Sequence, residues 1–231
     1  MSDTTKYRRI NDILFGPLER PALKWLAAHM PAWVTPDTCT TIGTLGAFVI
    51  LICYVLSTLD RNFLWLASLG FVINWLGDSL DGTLARHRHI ERPIFGFFID
   101  HTTDAFNEML IFVGLGLTPY ISFNIALLCL VGYLLLSVLV FVRTAAVGEF
   151  KLSYGKLGPT EIRVIAILLN TGMYFGGIQT ASVNAGPFGK LTFSPYDLIV
   201  AAIALLLLIF FIVTAARETI RLSKADQKMP D

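Results

Sequence analysis

Charge is what this chain has least of. Only 15% of its 231 residues are Asp, Glu, Lys or Arg, 55% are hydrophobic, and the mean hydropathy is positive. That balance lies outside the range of soluble domains and predicts an integral membrane protein. Cysteine is also scarce. Cys39, Cys53 and Cys129 lie in or at the edge of apolar segments without a CxxC spacing, which excludes a disulfide framework and a zinc site and leaves packing as their role. There is no GxxxxGK phosphate loop, no Ser-His-Asp set, no repeat and no low-complexity segment, and nothing points to nucleic acid. The first 30 residues lack the apolar run of a secretory signal.

What is present is a series of long apolar stretches. About 20 such residues cross the hydrocarbon, and six segments qualify: 40–59, 63–85, 95–117, 121–146, 160–178 and 196–217. The expected fold is all-α and polytopic, with six transmembrane helices in one domain over 35–220 and a cytoplasmic tail over 221–231. Residues 1–34 are expected to form a juxtamembrane segment. Within it Tyr7 to Met30 sets apolar residues among basic ones, as an interfacial amphipathic stretch broken near Pro17 and Pro21. With six spans, every Lys and Arg except Arg61 and Lys190 falls on one side, which predicts that both termini are cytoplasmic. Residues 179–194 form a long outer loop, and Gly172 and Gly176 make a GxxxG that favours close packing.

Against this background the stretch from Asp78 to Asp104 concentrates charge. If 74–86 is helical, Asp78, Asp81, Gly82 and Ala85 share one stripe, and Gly96, Asp100 and Asp104 share a stripe on the next helix. Pro93 and the charged run Arg86 to Arg92 leave so short a link that the two helices must be antiparallel. Four carboxylates brought together either bind protons or recruit a divalent cation. Oxygen donors without a Cys or His cage favour Mg2+, Mn2+ or Ca2+. Gly82, Ala85 and Gly96 keep the facing surfaces free of bulk, and Arg86 offers a fork for phosphate.

The pattern Asp78-x-x-Asp81-Gly82-x-x-Ala85-Arg86, nine residues, Gly96-x-x-x-Asp100-x-x-x-Asp104 resembles the signature of the CDP-alcohol phosphotransferases, also called CDP-alcohol phosphatidyltransferases, at every signature position. The resemblance implies a six-helix membrane enzyme, usually a homodimer, that uses Mg2+ or Mn2+ to transfer a phosphoalcohol from a CDP-alcohol to an acceptor hydroxyl with release of CMP. It implies that Asp78, Asp81 and Asp100 ligate the metal, and that Asp104 stands with them as the general base. It further implies that Gly82, Ala85, Arg86 and Gly96 meet the nucleotide and its phosphates. The expected donor is CDP-diacylglycerol. The alternative is CDP-choline or CDP-ethanolamine with a lipid alcohol as acceptor, because Asp100-His101 resembles a pair found in those enzymes. A divalent-cation transporter using the same carboxylates is the alternative from another class, but transporter sites usually lie near the bilayer midplane, and these aspartates adjoin a basic loop.

Further candidates surround the signature. Pro36, Asp37 and Thr40 stand where family members carry residues that hold the nucleotide, while Asp37 or Thr38 could simply cap the first span. Glu108 continues the polar stripe past Asp104 into apolar sequence, where an ionisable residue signals function; it could touch the acceptor or pair with Asn74 or an arginine. Arg143 and Lys156 could bind an acceptor phosphate or be ordinary positive-inside charge, and His101 could face the acceptor or lie on the helix surface.

Overall fold

Among the described residues, 15–147, 158–184 and 190–226 of a computed structural model, the chain folds into seven helices and one hairpin. The helices are α1 (Gly16–His29), α2 (Pro36–Leu56), α3 (Phe63–Arg88), α4 (Pro93–Gly116), α5 (Phe123–Val147), α6 (Pro159–Gly176) and α7 (Pro195–Asp226). Their ends follow from local chemistry. The cap of α2 is Thr35, not Asp37 or Thr38: Pro36 takes the first helical position, which its fixed φ suits, so Thr35 precedes it and forms a capping box with Thr38. Helix α3 stops at His89, which adopts a left-handed φ of 57°, while the Ile90 amide donates to the Ala85 carbonyl at 3.1 Å. Pro93 then opens α4, so the chain reverses within residues 89–92.

The six apolar segments fall on α2 to α7. By length and composition α2, α3, α5 and α7 can cross a bilayer, which makes this an integral membrane protein. The other two are more polar for identifiable reasons: α4 carries Asp100, Asp104 and Glu108, and α6 carries Glu161, Arg163 and Asn170. Apolar side chains such as Leu205, Leu206 and Ile212 on α7 point outward, as lipid contact requires.

Three local expectations change. The 179–194 loop contains an antiparallel hairpin, β1 (Ala181–Asn184) against β2 (Lys190–Phe193), so the chain is not purely helical. Helix α1 runs through Pro21 unbroken. Tertiary contacts with α3 and α6 offset the lost backbone bond: Leu23 and Ala27 pack with Leu80 and Leu84, and the Glu19 carboxylate accepts from Trp75 Nε1 and Ser79 Oγ of α3 and from Thr160 Oγ1 of α6 at 3.2, 3.1 and 3.0 Å. Positions 7–14 of the expected amphipathic stretch lie outside the described residues. Helix α7 continues past residue 220 to Asp226. The three cysteines are buried and free, as expected of packing residues.

Helix α2 packs against both α3 and α4 and so sets the distance between the two polar stripes. Its contact with α3 is made by glycines. A Cβ on Gly46 would lie 2.6 Å from the Asn74 amide nitrogen and 3.0 Å from the Gly70 carbonyl oxygen, both backbone atoms that cannot move aside singly. Polar bonds reinforce the bundle: Tyr54 Oη donates to Asn170 Oδ1 at 2.8 Å, and Asn170 Nδ2 donates to Ser68 Oγ at 3.1 Å. Gly172 and Gly176 meet Tyr196 of α7, whose hydroxyl lies 3.1 Å from the Gly172 carbonyl oxygen.

The packing glycines should behave differently from those of the signature. Gly46→Ala is expected to destabilise the solubilised protein by about 1–3 kcal/mol through overpacking. Gly96→Ala, whose new Cβ meets nothing within 4 Å, should be neutral or slightly stabilising, since alanine is the better helix former. Thermal unfolding of both variants in one detergent checks the contrast, and equal melting temperatures would refute close α2–α3 contact.

Candidate active site

The stripe on α3 is held from two sides. Arg163, in the first turns of α6, donates through Nη2 to Asp78 Oδ2 at 2.7 Å and through Nε to Asn74 Oδ1 at 2.9 Å, and Asn74 Nδ2 donates to the Gly43 carbonyl oxygen at 2.9 Å. One turn on, Asp81 accepts from Thr40 Oγ1 of α2 at 2.8 Å and from the Gly82 amide. Rotation of either carboxylate would break a short polar contact, so each is oriented before any ligand arrives.

On α4, Asp100 and Asp104 stand one turn apart with His101 between them. Its Nδ1 lies 3.8 Å from Asp100 Oδ2 and 3.9 Å from Asp104 Oδ2. His101 is not a helix-surface residue, because its ring packs edge-on against Phe97 and beside Phe141 of α5. Asp81 interacts electrostatically with Asp100 and Asp78, and Asp104 interacts with Asp78, so the two stripes face a shared space. One potential ligand atom from each of Asp100, His101 and Asp104 lies within 4.8 Å of the others. The set, two carboxylates and one imidazole, could hold a metal ion. Asp78 and Asp81 fall outside that tight group, being turned toward Arg163 and Thr40.

The signature glycines border open space. A Cβ on Gly96 would meet nothing within 4 Å, and one on Gly82 would first meet the flexible tip of Arg86, whose Nη2 donates to Thr83 Oγ1 at 3.3 Å. Ala85 faces the same end of α3 and is only half-buried. Beside this end a cleft of about 390 Å3 runs between α2 and α4, lined by Asp37, Thr40, Thr41, Thr44, Phe95, Ile99 and Thr103. An ion pair between Asp37 and Arg92 lies at its exposed end. The arrangement offers hydroxyls and apolar side chains beside a carboxylate cluster, a fit for a phosphorylated ligand with an apolar or flat portion.

The remaining candidates separate. Glu108 is bonded by the Tyr133 hydroxyl of α5, and neither of its expected partners holds it. Asn74 is taken by Arg163 and Gly43, and Arg163 hydrogen-bonds Asn74 and Asp78. Arg143 is buried, with Nε 3.3 Å from Glu218 Oε1 of α7. Lys156 lies outside the described residues. No motif in the sequence marks Arg163 as the partner of Asp78; its place in the apolar 160–178 segment was the available signal. Tyr133 gave no such signal, being one aromatic residue in an apolar helix.

The sequence profile of the CDP-alcohol phosphatidyltransferase family matches residues 33–216. Among curated relatives, a phosphatidylinositol phosphate synthase of Cutibacterium acnes is 39% identical over 93 residues, covering 39% of this chain and 41% of that protein. Cholinephosphotransferase 1 of Mus musculus is 24% identical over 178 residues, covering 74% of this chain and 44% of that protein. The chain therefore spans less than half the length of these relatives. In fold it is similar to the crystal structure of Mycobacterium tuberculosis phosphatidylinositol phosphate synthase with CDP-DAG bound, with a TM-score of 0.58 over 86% of this chain and 90% of that one at 21% identity.

Proposed function

Since the chain belongs to the CDP-alcohol phosphatidyltransferase family, we propose that it is a membrane transferase that moves the phosphatidyl group of CDP-diacylglycerol to an acceptor hydroxyl and releases CMP. The observation that carries this reading is the pair of oriented carboxylate stripes on α3 and α4 bordering open, glycine-lined space. Asp78, Asp81, Asp100 and Asp104 would hold Mg2+ or Mn2+. Bound there, such an ion supplies positive charge against the pyrophosphate and the departing CMP. Gly82, Ala85, Gly96 and Arg86 admit the nucleotide and its phosphates, with Thr40 and Asp37 at the cleft beside them.

The acceptor oxygen attacks the phosphorus that carries the diacylglycerol, and its proton passes to Asp104. The bond from that phosphorus to the bridging oxygen breaks, and CMP leaves with the electron pair. Arg163 keeps Asp78 aligned, and Thr40 does the same for Asp81. In the membrane α2 to α7 would all span, with α1 at the cytoplasmic surface, both termini and the site on the cytoplasmic side, and the enzyme assembled as a homodimer. The distribution of Lys and Arg supports that orientation.

The match to a cholinephosphotransferase over 74% of the chain favours a second reading, in which CDP-choline or CDP-ethanolamine donates to a lipid alcohol. One experiment separates them: purified protein is incubated with each CDP-alcohol and candidate acceptors, and CMP is measured. Release from CDP-diacylglycerol alone supports the first reading, release from the soluble CDP-alcohols supports the second, and no release with any donor refutes both.

A further inference from the structure

We propose that Glu108, Tyr133 and Asn107 form a subsite for the acceptor, one that takes a second hydrogen-bond donor adjacent to the hydroxyl that reacts. The inference rests on the transferase reading above and names the class of acceptor that such an enzyme would use: an alcohol with several O–H or N–H donors, as opposed to a lipid alcohol with a lone hydroxyl.

The argument begins with position. Glu108 follows Asp104 by four residues on α4, so the two side chains project from the same face one turn apart. A carboxylate there, in an apolar segment, is costly unless something compensates it. Compensation within the protein is incomplete. Tyr133 bonds the carboxylate from α5, yet among the described residues Oε2 is buried with no hydrogen-bond partner, and so is Oδ1 of Asn107, a residue only 7% exposed. Arg163 feels the charge of Glu108 but directs Nε and Nη2 to Asn74 and Asp78.

Among the described residues the tight group able to hold an ion consists of Asp100, His101 and Asp104, without Glu108. Two buried acceptor oxygens thus lack donors one turn beyond the proposed base. A polyol or an amino alcohol brings such donors, next to the hydroxyl that Asp104 must reach. Diacylglycerol brings one hydroxyl, which the reaction itself consumes.

The test uses the full chain in detergent or vesicles, saturating CDP-diacylglycerol, and three acceptor types: polyols (glycerol 3-phosphate, inositol 1-phosphate), an amino alcohol (serine) and diacylglycerol. With the wild type, turnover is expected with a multi-donor acceptor, and the polyol and serine arms tell O–H from N–H donors. Glu108→Gln and Tyr133→Phe should raise KM for that acceptor about tenfold to a hundredfold, as loss of a hydrogen bond to a charged group does. Effects on kcat should be smaller, and calorimetric binding of CDP-diacylglycerol should persist. Tyr133→Phe keeps the test decisive if Glu108→Gln does not fold. Exclusive use of diacylglycerol by the wild type, an unchanged KM, or parallel loss of donor binding would each overturn the subsite. Absence of CMP release from the wild type with every acceptor would instead refute the CDP-diacylglycerol reading on which the subsite rests.

Discussion

Chelation with EDTA is expected to abolish CMP release, and Mg2+ or Mn2+ to restore it. Asp81 interacts with Asp100 and Asp78, and Asp104 with Asp78, in a site whose carboxylates are only partly exposed to water. A CDP-alcohol adds a pyrophosphate to this field. Two like unit charges about 4 Å apart repel by about 4 kcal/mol at an effective dielectric near 20, close to a thousandfold in affinity. Arg163 offsets part of this, but it is bound to Asp78, and Arg86 is exposed at the rim. Neither can replace a cation bound among the carboxylates. Asp100→Asn should shift the metal dependence to higher concentration, because it removes one charge from the tightest donor group. Titrating CMP release against free Mg2+ in wild type and variant checks both expectations, and full turnover in EDTA would refute the cation-dependent reading.

The sequence revealed the parts of this molecule governed by local rules. Asp78, Asp81, Asp100 and Asp104 stood out because charge in apolar sequence is costly, and helical periodicity placed them on two stripes. Pro93 and the charged run announced the reversal between α3 and α4. Features set by tertiary partners were hidden. Pro21 reads as a breaker until the contacts of α1 with α3 and α6 are known. Arg163 reads as one cation among several near the α5–α6 connection, since no local rule pairs residue 163 with residue 78. The same holds for Tyr133 and Glu108 on α5 and α4, and for Gly46, whose need for a bare backbone comes from Asn74 and Gly70. The polar character of α4 and α6 reflects the same cause as the site: the residues that weaken them as apolar spans include Asp100, Asp104 and Arg163.

Asp104→Asn is expected to cut CMP release by about a hundredfold to ten-thousandfold, the usual effect of losing a general base, even at metal concentrations raised until CDP-alcohol binding matches that of the wild type. The amide preserves shape and can still accept a hydrogen bond, but it cannot take the acceptor's proton. Asp78→Asn should fail differently. Asp78 is the partner of the part-buried Arg163, and removing one member of a buried ion pair typically costs about 3–5 kcal/mol because the other charge is left uncompensated, with a smaller cost where the pair is part-buried. That variant should lose thermal stability and metal-dependent nucleotide binding together with activity. Asp104, flanked by His101 and one turn from Glu108, forms no ion pair with an arginine among the described residues, so Asp104→Asn should melt near the wild-type temperature. Three measurements on each variant separate the roles: thermal unfolding, calorimetric binding of CDP-diacylglycerol with Mg2+, and CMP release. If Asp104→Asn lost nucleotide and metal binding as severely as Asp78→Asn, Asp104 would be a ligand first, and proton transfer would have to be assigned to another group in reach of the acceptor hydroxyl.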